Sequence, residues 1–127
     1  MNSALKIKSD ELNKVANLLH SKKLYVAVAH SSYYCCLLLM KHIWLYSMNG
    51  TEEEILQSKS GTHKFLIKET GKHIKAINLY DFLVFRQIRV LRDLRTDSDY
   101  SDKLFNEANS SNSLKLLNSI ALVLKKY

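Results

Sequence analysis

Apolar side chains recur along this chain at helical spacing, and nowhere do they alternate with period two over a useful length. In "SDELNKVANLLH", Ser9 or Asp10 is positioned to cap a first helix whose stripe is Leu12, Val15, Leu18 and Leu19. The run from about Leu24 to Met48 is apolar nearly all round in its front half and stops at Asn49-Gly50, the pattern of a central helix. "TEEEILQSKSG" is polar and reads as a loop with about one helical turn. A third helix follows Gly61, with Thr62 as its cap, and ends near Gly71 or a turn later. A fourth spans about Leu79 to Thr96. After "DSDYSDKLFNEANSSNS", the amphipathic "LKLLNSIALVLKKY" forms the last helix, closing on Lys125 and Lys126 as the helix dipole favours. The expected fold is all-α: one domain over residues 1–127, an up-and-down antiparallel four- to five-helix bundle centred on the second and fourth helices.

Composition supports long helices, since the 127 residues hold no proline and only three glycines. A charged fraction of 24% with 46% hydrophobic residues is ordinary for a globular protein and argues against a disordered chain. The net charge of +7 favours polyanionic partners. No tail carries that charge: residues 1–64 hold eight basic and five acidic groups, and residues 65–127 hold eleven and seven. Any polyanion contact therefore depends on local arrangement.

Cys35 and Cys36 are neighbours, so on a helix they point about 100° apart, and no CxxC occurs. A reduced, cytoplasmic setting is expected. The five histidines lack HExxH or Cys/His ligand spacing, so neither a metal nor another cofactor is expected. No apolar signal region opens the chain, and His30, Ser31, Ser32, Lys41 and His42 interrupt its most hydrophobic stretch, which argues against membrane insertion.

Three places can carry chemistry. Lys64, Lys68, Lys72 and Lys75 fall within an arc of roughly 80° on the third helix, opposite Leu66, Ile67, Thr70 and Ile74. Such a row can follow a phosphate backbone, or simply form a solvated face. His30, Tyr34 and Lys41 make a polar seam on the second helix, either functional or mutually hydrogen-bonded. The third place is "RQIRVLRDLRTDSDYSD". Winding from Val84, Ile88 and Leu91 lie within roughly 40° of it and Arg95 falls inside that arc. Arg92 flanks the arc, while Arg86 and Arg89 turn away. A guanidinium on a core-facing line keeps its charge, so it must be paired or reach a cleft. It is either a structural arginine bonded to Asp97, Asp99 or helix carbonyls, or part of a site.

Three of these stretches, in order, resemble a HEPN domain (higher eukaryotes and prokaryotes nucleotide-binding). "AVAHSSYYCCLLLMKHIWL" is similar to the family's double-tyrosine second helix, "SGTHKFLIKE" to its turn into the third, and "LRDLRTDSDY" to the arginine and Asp-Tyr ending the fourth. The resemblance covers about Tyr25 to Tyr127. It implies a homodimer with the fourth-helix arginines facing a cleft between subunits, and binding of nucleotides or RNA. Many such domains are ribonucleases that need no metal, and many act as toxins beside a minimal nucleotidyltransferase antitoxin. The nuclease members carry an arginine, then four to six residues, then a histidine; here Arg95 is followed by Thr96, Asp97, Ser98, Asp99 and Tyr100, and no histidine follows His73.

The expected function is therefore a nucleotide- or RNA-binding module using Arg92, Arg95, Asp99 and Tyr100, with Lys64, Lys68 and Lys72 outside the cleft. In the alternative ribonuclease reading, Arg95 supplies the cation and Tyr100 is the second catalytic candidate; tyrosine's ordinary pKa near 10 makes it a poor base unless strongly shifted, and His63, His30 or His73 from another helix could substitute. A third reading is a protein-interaction bundle whose charge only confers solubility.

Overall fold

The longest apolar run lies where its burial is greatest. In the computed structural model, which describes residues 3–127, α2 (Val28–His42) packs against most of the other helices, and Val28, Tyr33, Cys36 and Met40 are fully enclosed. A 3₁₀ turn (Tyr25–Ala27) leads into it, and a π turn (Ile43–Ser47) extends it to the Asn49-Gly50 stop. There Gly50 is required by close approach: a Cβ would sit 2.0 Å from Trp44 Cε2.

Around α2 stand α1 (Ala4–Ser21), α6 (Val84–Tyr100) and α7 (Glu107–Leu124). Cross-helix bonds give their directions. Ser3 Oγ lies 2.7 Å from His42 Nδ1, and Ser9 Oγ donates to the Cys35 carbonyl at 3.0 Å, so α1 runs antiparallel to α2. Ser98 Oγ donates to the Val26 carbonyl and Arg95 Nη2 to Tyr34 Oη at 3.3 Å, so α6 is antiparallel to α2 as well. His20 pairs with Ser110 at 2.7 Å and Lys125 with Asp10 at 3.1 Å, which sets α7 antiparallel to α1. The fifth long helix, α4 (Thr62–Ile77), packs against α2 and the π turn, with Phe65 edge-on to Trp44 at 4.9 Å. Two short helices, α3 (Glu52–Leu56) and α5 (Leu79–Phe82), complete an all-α bundle with no strand among the described residues.

The central stripe of α6 is as the winding predicts: Val84, Ile88 and Leu91 are buried, and truncating either of the last two to alanine would cost about 2–5 kcal/mol. On α4, Leu66, Ile67, Thr70 and Ile74 are buried opposite the exposed lysines, again as predicted.

Several boundaries move. α1 starts at Ala4, capped by Ser3, and Ser9 is a buried residue bonded to Cys35 rather than a cap; Val15 and Leu18 are exposed. The cap of α4 is Gly61 at φ 89°, and the helix runs on to Ile77 with Gly71 inside it, where a Cβ would lie 3.3 Å from the Phe85 ring. The expected fourth helix breaks at Leu83 into α5 and α6, and α6 runs on to Tyr100. α7 begins at Glu107, where Asn106 and Asn109 cap reciprocally. The acidic connection forms α3 through a Thr51–Glu54 capping box. Among the described residues, no helix is long and apolar enough to cross a membrane.

Candidate functional site

Antiparallel packing of α2 on α6 brings the double tyrosine beside the end of the arginine helix, and the first turn of α4 adds His63. Arg95 lies at the centre with its side chain 13% exposed. Its guanidinium carbon is 5.5 Å from the Tyr33 ring centre, 5.4 Å from Tyr34 and 6.0 Å from Tyr100, all within cation–π range. Nη2 donates to Tyr34 Oη. Asp99 Oδ2 lies 3.2 Å from Nε, one helical turn on, but off the N–H direction, so the contact is an ion pair and Nε lacks an aligned acceptor. That same carboxylate oxygen is 3.0 Å from His30 Nδ1, and the His30 ring lies 4.6 Å from Tyr34. Asp99 is thus shared between two cationic or donor groups, and Arg95 has more donors than acceptors around it.

His63 forms the second half of the cluster. Its Nδ1 lies 3.2 Å from Tyr33 Oη, and its ring is edge-on to Tyr34 at 5.6 Å. Burial lowers the His63 pKa below the ordinary histidine value, and the positive fields of Arg95 and Arg92 push it the same way, so the imidazole is neutral at pH 7. Burial also holds the fully enclosed Tyr33 protonated, with its pKa raised to about 12 against the opposing pull of the two arginines. The result is a fixed cation, a neutral imidazole and three phenols on three helices.

Of the residues expected from sequence, Arg95, Asp99 and Tyr100 meet in this cluster, and Arg92 acts on it through its charge. Tyr100 is 75% exposed and forms its outer edge. Lys64, Lys68, Lys72 and Lys75 do not join it as partners. They are exposed along α4, with Lys72 3.7 Å from Glu69 and Lys75 over the Phe82 ring. Lys41 of the polar seam pairs with Glu52 at 3.0 Å instead of with Tyr34. Tyr33 had no signal in the sequence beyond the double tyrosine, and His63 could be assigned only from the crossing of α4 over α2. His73, three turns further along α4 than the cluster, does not join it. No group of three or more His, Cys, Asp or Glu among the described residues could hold a metal ion. Cys35 and Cys36 are both free and buried, and burial raises both thiol pKa values.

Compared with family models, curated proteins and solved structures, the chain matches none.

Proposed function

We propose that this bundle binds a nucleotide or RNA, with Arg95 on a phosphate and the exposed Tyr100 beside it as a stacking face. One observation carries the reading. Arg95 is drawn onto a core-facing line and wrapped in aromatic rings, yet its Nε has no aligned acceptor and its one carboxylate partner is shared with His30. Nε itself is enclosed, so a phosphate oxygen would meet the Nη edge of the guanidinium, by charge and by its planar donor geometry. Arg92 adds positive potential at the same place. In this reading Asp99 orients Arg95, and a symmetric homodimer closes over the exposed side formed by His30 and Tyr100. Arg95→Ala should abolish RNA or nucleotide binding while the helical spectrum persists. A less stable protein with unchanged affinity would refute the site. Light scattering at micromolar concentration tests the dimer, and a strict monomer would remove that part.

A second reading is favoured by His63 alone: a metal-independent ribonuclease. With Nδ1–H donating to Tyr33 Oη, Nε2 is the free base that takes the proton of a ribose 2′-hydroxyl. The 2′-oxygen then attacks phosphorus, Arg95 stabilises the added negative charge, and the 5′-oxygen leaves with a proton from water. This reading requires RNA cut in the presence of EDTA to 2′,3′-cyclic phosphate ends, and His63→Gln to stop the cleavage.

A further inference from the structure

A cavity of about 240 Å³ opens on the other side of Tyr34, walled by Leu37, Leu38, Ile55 and Leu66. It belongs to no part of the cluster described above except through Tyr34 itself. That tyrosine has two faces to its environment: its hydroxyl receives Arg95 Nη2, and its body forms a wall of the cavity. Thr62, the residue before His63, lines the cavity too, so the cavity and the cluster share Tyr34 on α2 and draw on adjacent residues at the start of α4.

Size and lining narrow the occupant. Pockets for whole drug-sized ligands start at roughly 300 Å³, so this one holds a single flat ring system and leaves the rest of its ligand outside. The walls are leucine, isoleucine and one tyrosine, which suit an aromatic face. The rim carries one donor and one acceptor, Lys41 and Glu52, joined at 3.0 Å, with Glu52 side chain 60% exposed. The two charged lining residues, Lys41 and Glu52, already neutralise each other, whereas a heterocycle offers an apolar face inward and hydrogen-bonding edges to that pair. An anion-binding arginine and a ring-sized apolar slot, bridged by one tyrosine, have the layout of a ligand with a phosphate at one end and a base at the other.

We infer that this cavity is a nucleobase subsite, so that the ligand of the Arg95 cluster is recognised by base as well as by phosphate, and Tyr100 is left to a neighbouring base where the ligand is RNA. The inference rests on the phosphate reading of Arg95 given above. The shared chemistry is a base one sugar away from a phosphate, which a free nucleoside monophosphate or an unstacked residue of single-stranded RNA supplies equally.

Calorimetric titration of the whole chain with the four nucleoside 5′-monophosphates, ribose 5-phosphate and a short single-stranded RNA separates these possibilities. The tightest monophosphate should bind at least about tenfold more tightly than ribose 5-phosphate, the scale of one base stacked on an aromatic wall. Leu38→Trp, which fills the cavity, should reduce that nucleotide to the level of ribose 5-phosphate. Leu56→Ser removes an apolar group at the mouth, where Leu56 is 73% exposed and the fold does not depend on it, and should weaken the nucleotide several-fold. Both changes should leave ribose 5-phosphate unaffected. If only the RNA binds and both variants weaken it, the subsite stands with RNA as its source. If nucleotides and ribose 5-phosphate bind alike, or RNA binding ignores both variants, the subsite is overturned and the phosphate reading survives. If none of the ligands binds, both fall.

Discussion

Asp81 and Arg95 are both charged side chains drawn inward, one from α5 and one from α6, yet they are furnished in opposite ways. Asp81 is 4% exposed and each carboxylate oxygen has its own partner: Lys126 Nζ at 3.1 Å on Oδ1 and the Tyr127 hydroxyl at 2.6 Å on Oδ2. The Tyr127 carbonyl in turn accepts from Ser47 Oγ at 2.7 Å, so the end of α7 is tied to both α5 and the π turn. This is a satisfied charge, and satisfaction is what a structural role requires. Arg95 has ring faces on three sides, one misaligned carboxylate and a single phenol acceptor. The difference teaches how to read buried charge: the completed set of partners marks the clasp, and the incomplete set is what the proposed phosphate site at Arg95 rests on.

Removing each charge should break the comparison cleanly if it is right. Asp81→Ala strips Lys126 and Tyr127 of their shared acceptor and should produce the larger fall in melting temperature of the two, with nucleotide affinity unaltered. The clasp also has a pH signature. Hydrogen bonding from Tyr127, then the hydrogen bond and charge of Lys126, holds the Asp81 carboxyl below its ordinary value of 3.8 against the effect of burial. Its folded pKa is thus the lower one, so its contribution is present above about pH 4 and lost as the pH falls through the folded value. Acid titration of wild type against Asp81→Ala should show the two curves converging below that point. Arg95→Ala should do the reverse: affinity down at least tenfold, and stability down by only about 1–2 kcal/mol from lost ring contacts and one ion pair. Equal effects of the two substitutions on both measurements would erase the distinction.

How far the sequence revealed this contrast depends on which interactions are local. Arg95 was legible because helix winding is local geometry, and the stripe Val84, Ile88, Leu91 carries it inward whatever packs there. Asp99, one turn on, followed from the same rule, although the sequence ended the helix at Thr96, before the turn that presents it. His30 and Tyr34 were recognised as a seam, but their junction with Asp99 and Arg95 needs α2 and α6 to lie antiparallel at one register. His63 needed a third helix. The Asp81 clasp was invisible for the same reason, since its partners lie far along the chain in α7 and just beyond it. The missed cap at Asn106 is a different matter: its reciprocal partner is Asn109 rather than the glutamate or glutamine that the usual signature requires.

A smaller effect sharpens the ligand side. His63 titrates lower in the folded protein than in the unfolded chain, whose value is near 6.5. The unfolded chain therefore takes up its proton first, and the neutral imidazole contributes stability that is present above pH 6.5 and lost as the pH falls from there through the lowered folded value. His42 shifts in the same direction through burial and Lys6, so wild type alone does not isolate the term. The difference between wild type and His63→Gln in thermal melts should shrink between pH 7 and pH 5. Bound nucleotide should change that trend, because burial first and the positive field of Arg95 second keep His63 neutral, and a phosphate on Arg95 offsets the second. A pH-independent difference, with and without ligand, would separate His63 from the arginine cluster.

The smallest effect belongs to the lysine row, and it tests where the ligand stops. Lys64 is next to His63 in the first turn of α4, whereas Lys68 and Lys72 recede by one turn each, and Lys72 already faces Glu69 at 3.7 Å. A ligand confined to the Arg95 cluster and Tyr100 reaches Lys64 at most. Each phosphate neutralised on a single strand contributes about 0.7 to the slope of log affinity against log salt. Lys64→Gln should therefore flatten the slope by about 0.7 for a short RNA, and Lys72→Gln should leave it unchanged. A nucleoside monophosphate should respond to neither, because its one phosphate is already on Arg95. If Lys64, Lys68 and Lys72 each flatten the RNA slope equally, the strand runs the length of α4 and the row is a binding track. If none does, the row is a solvated face, and all of the phosphate recognition lies with the two arginines.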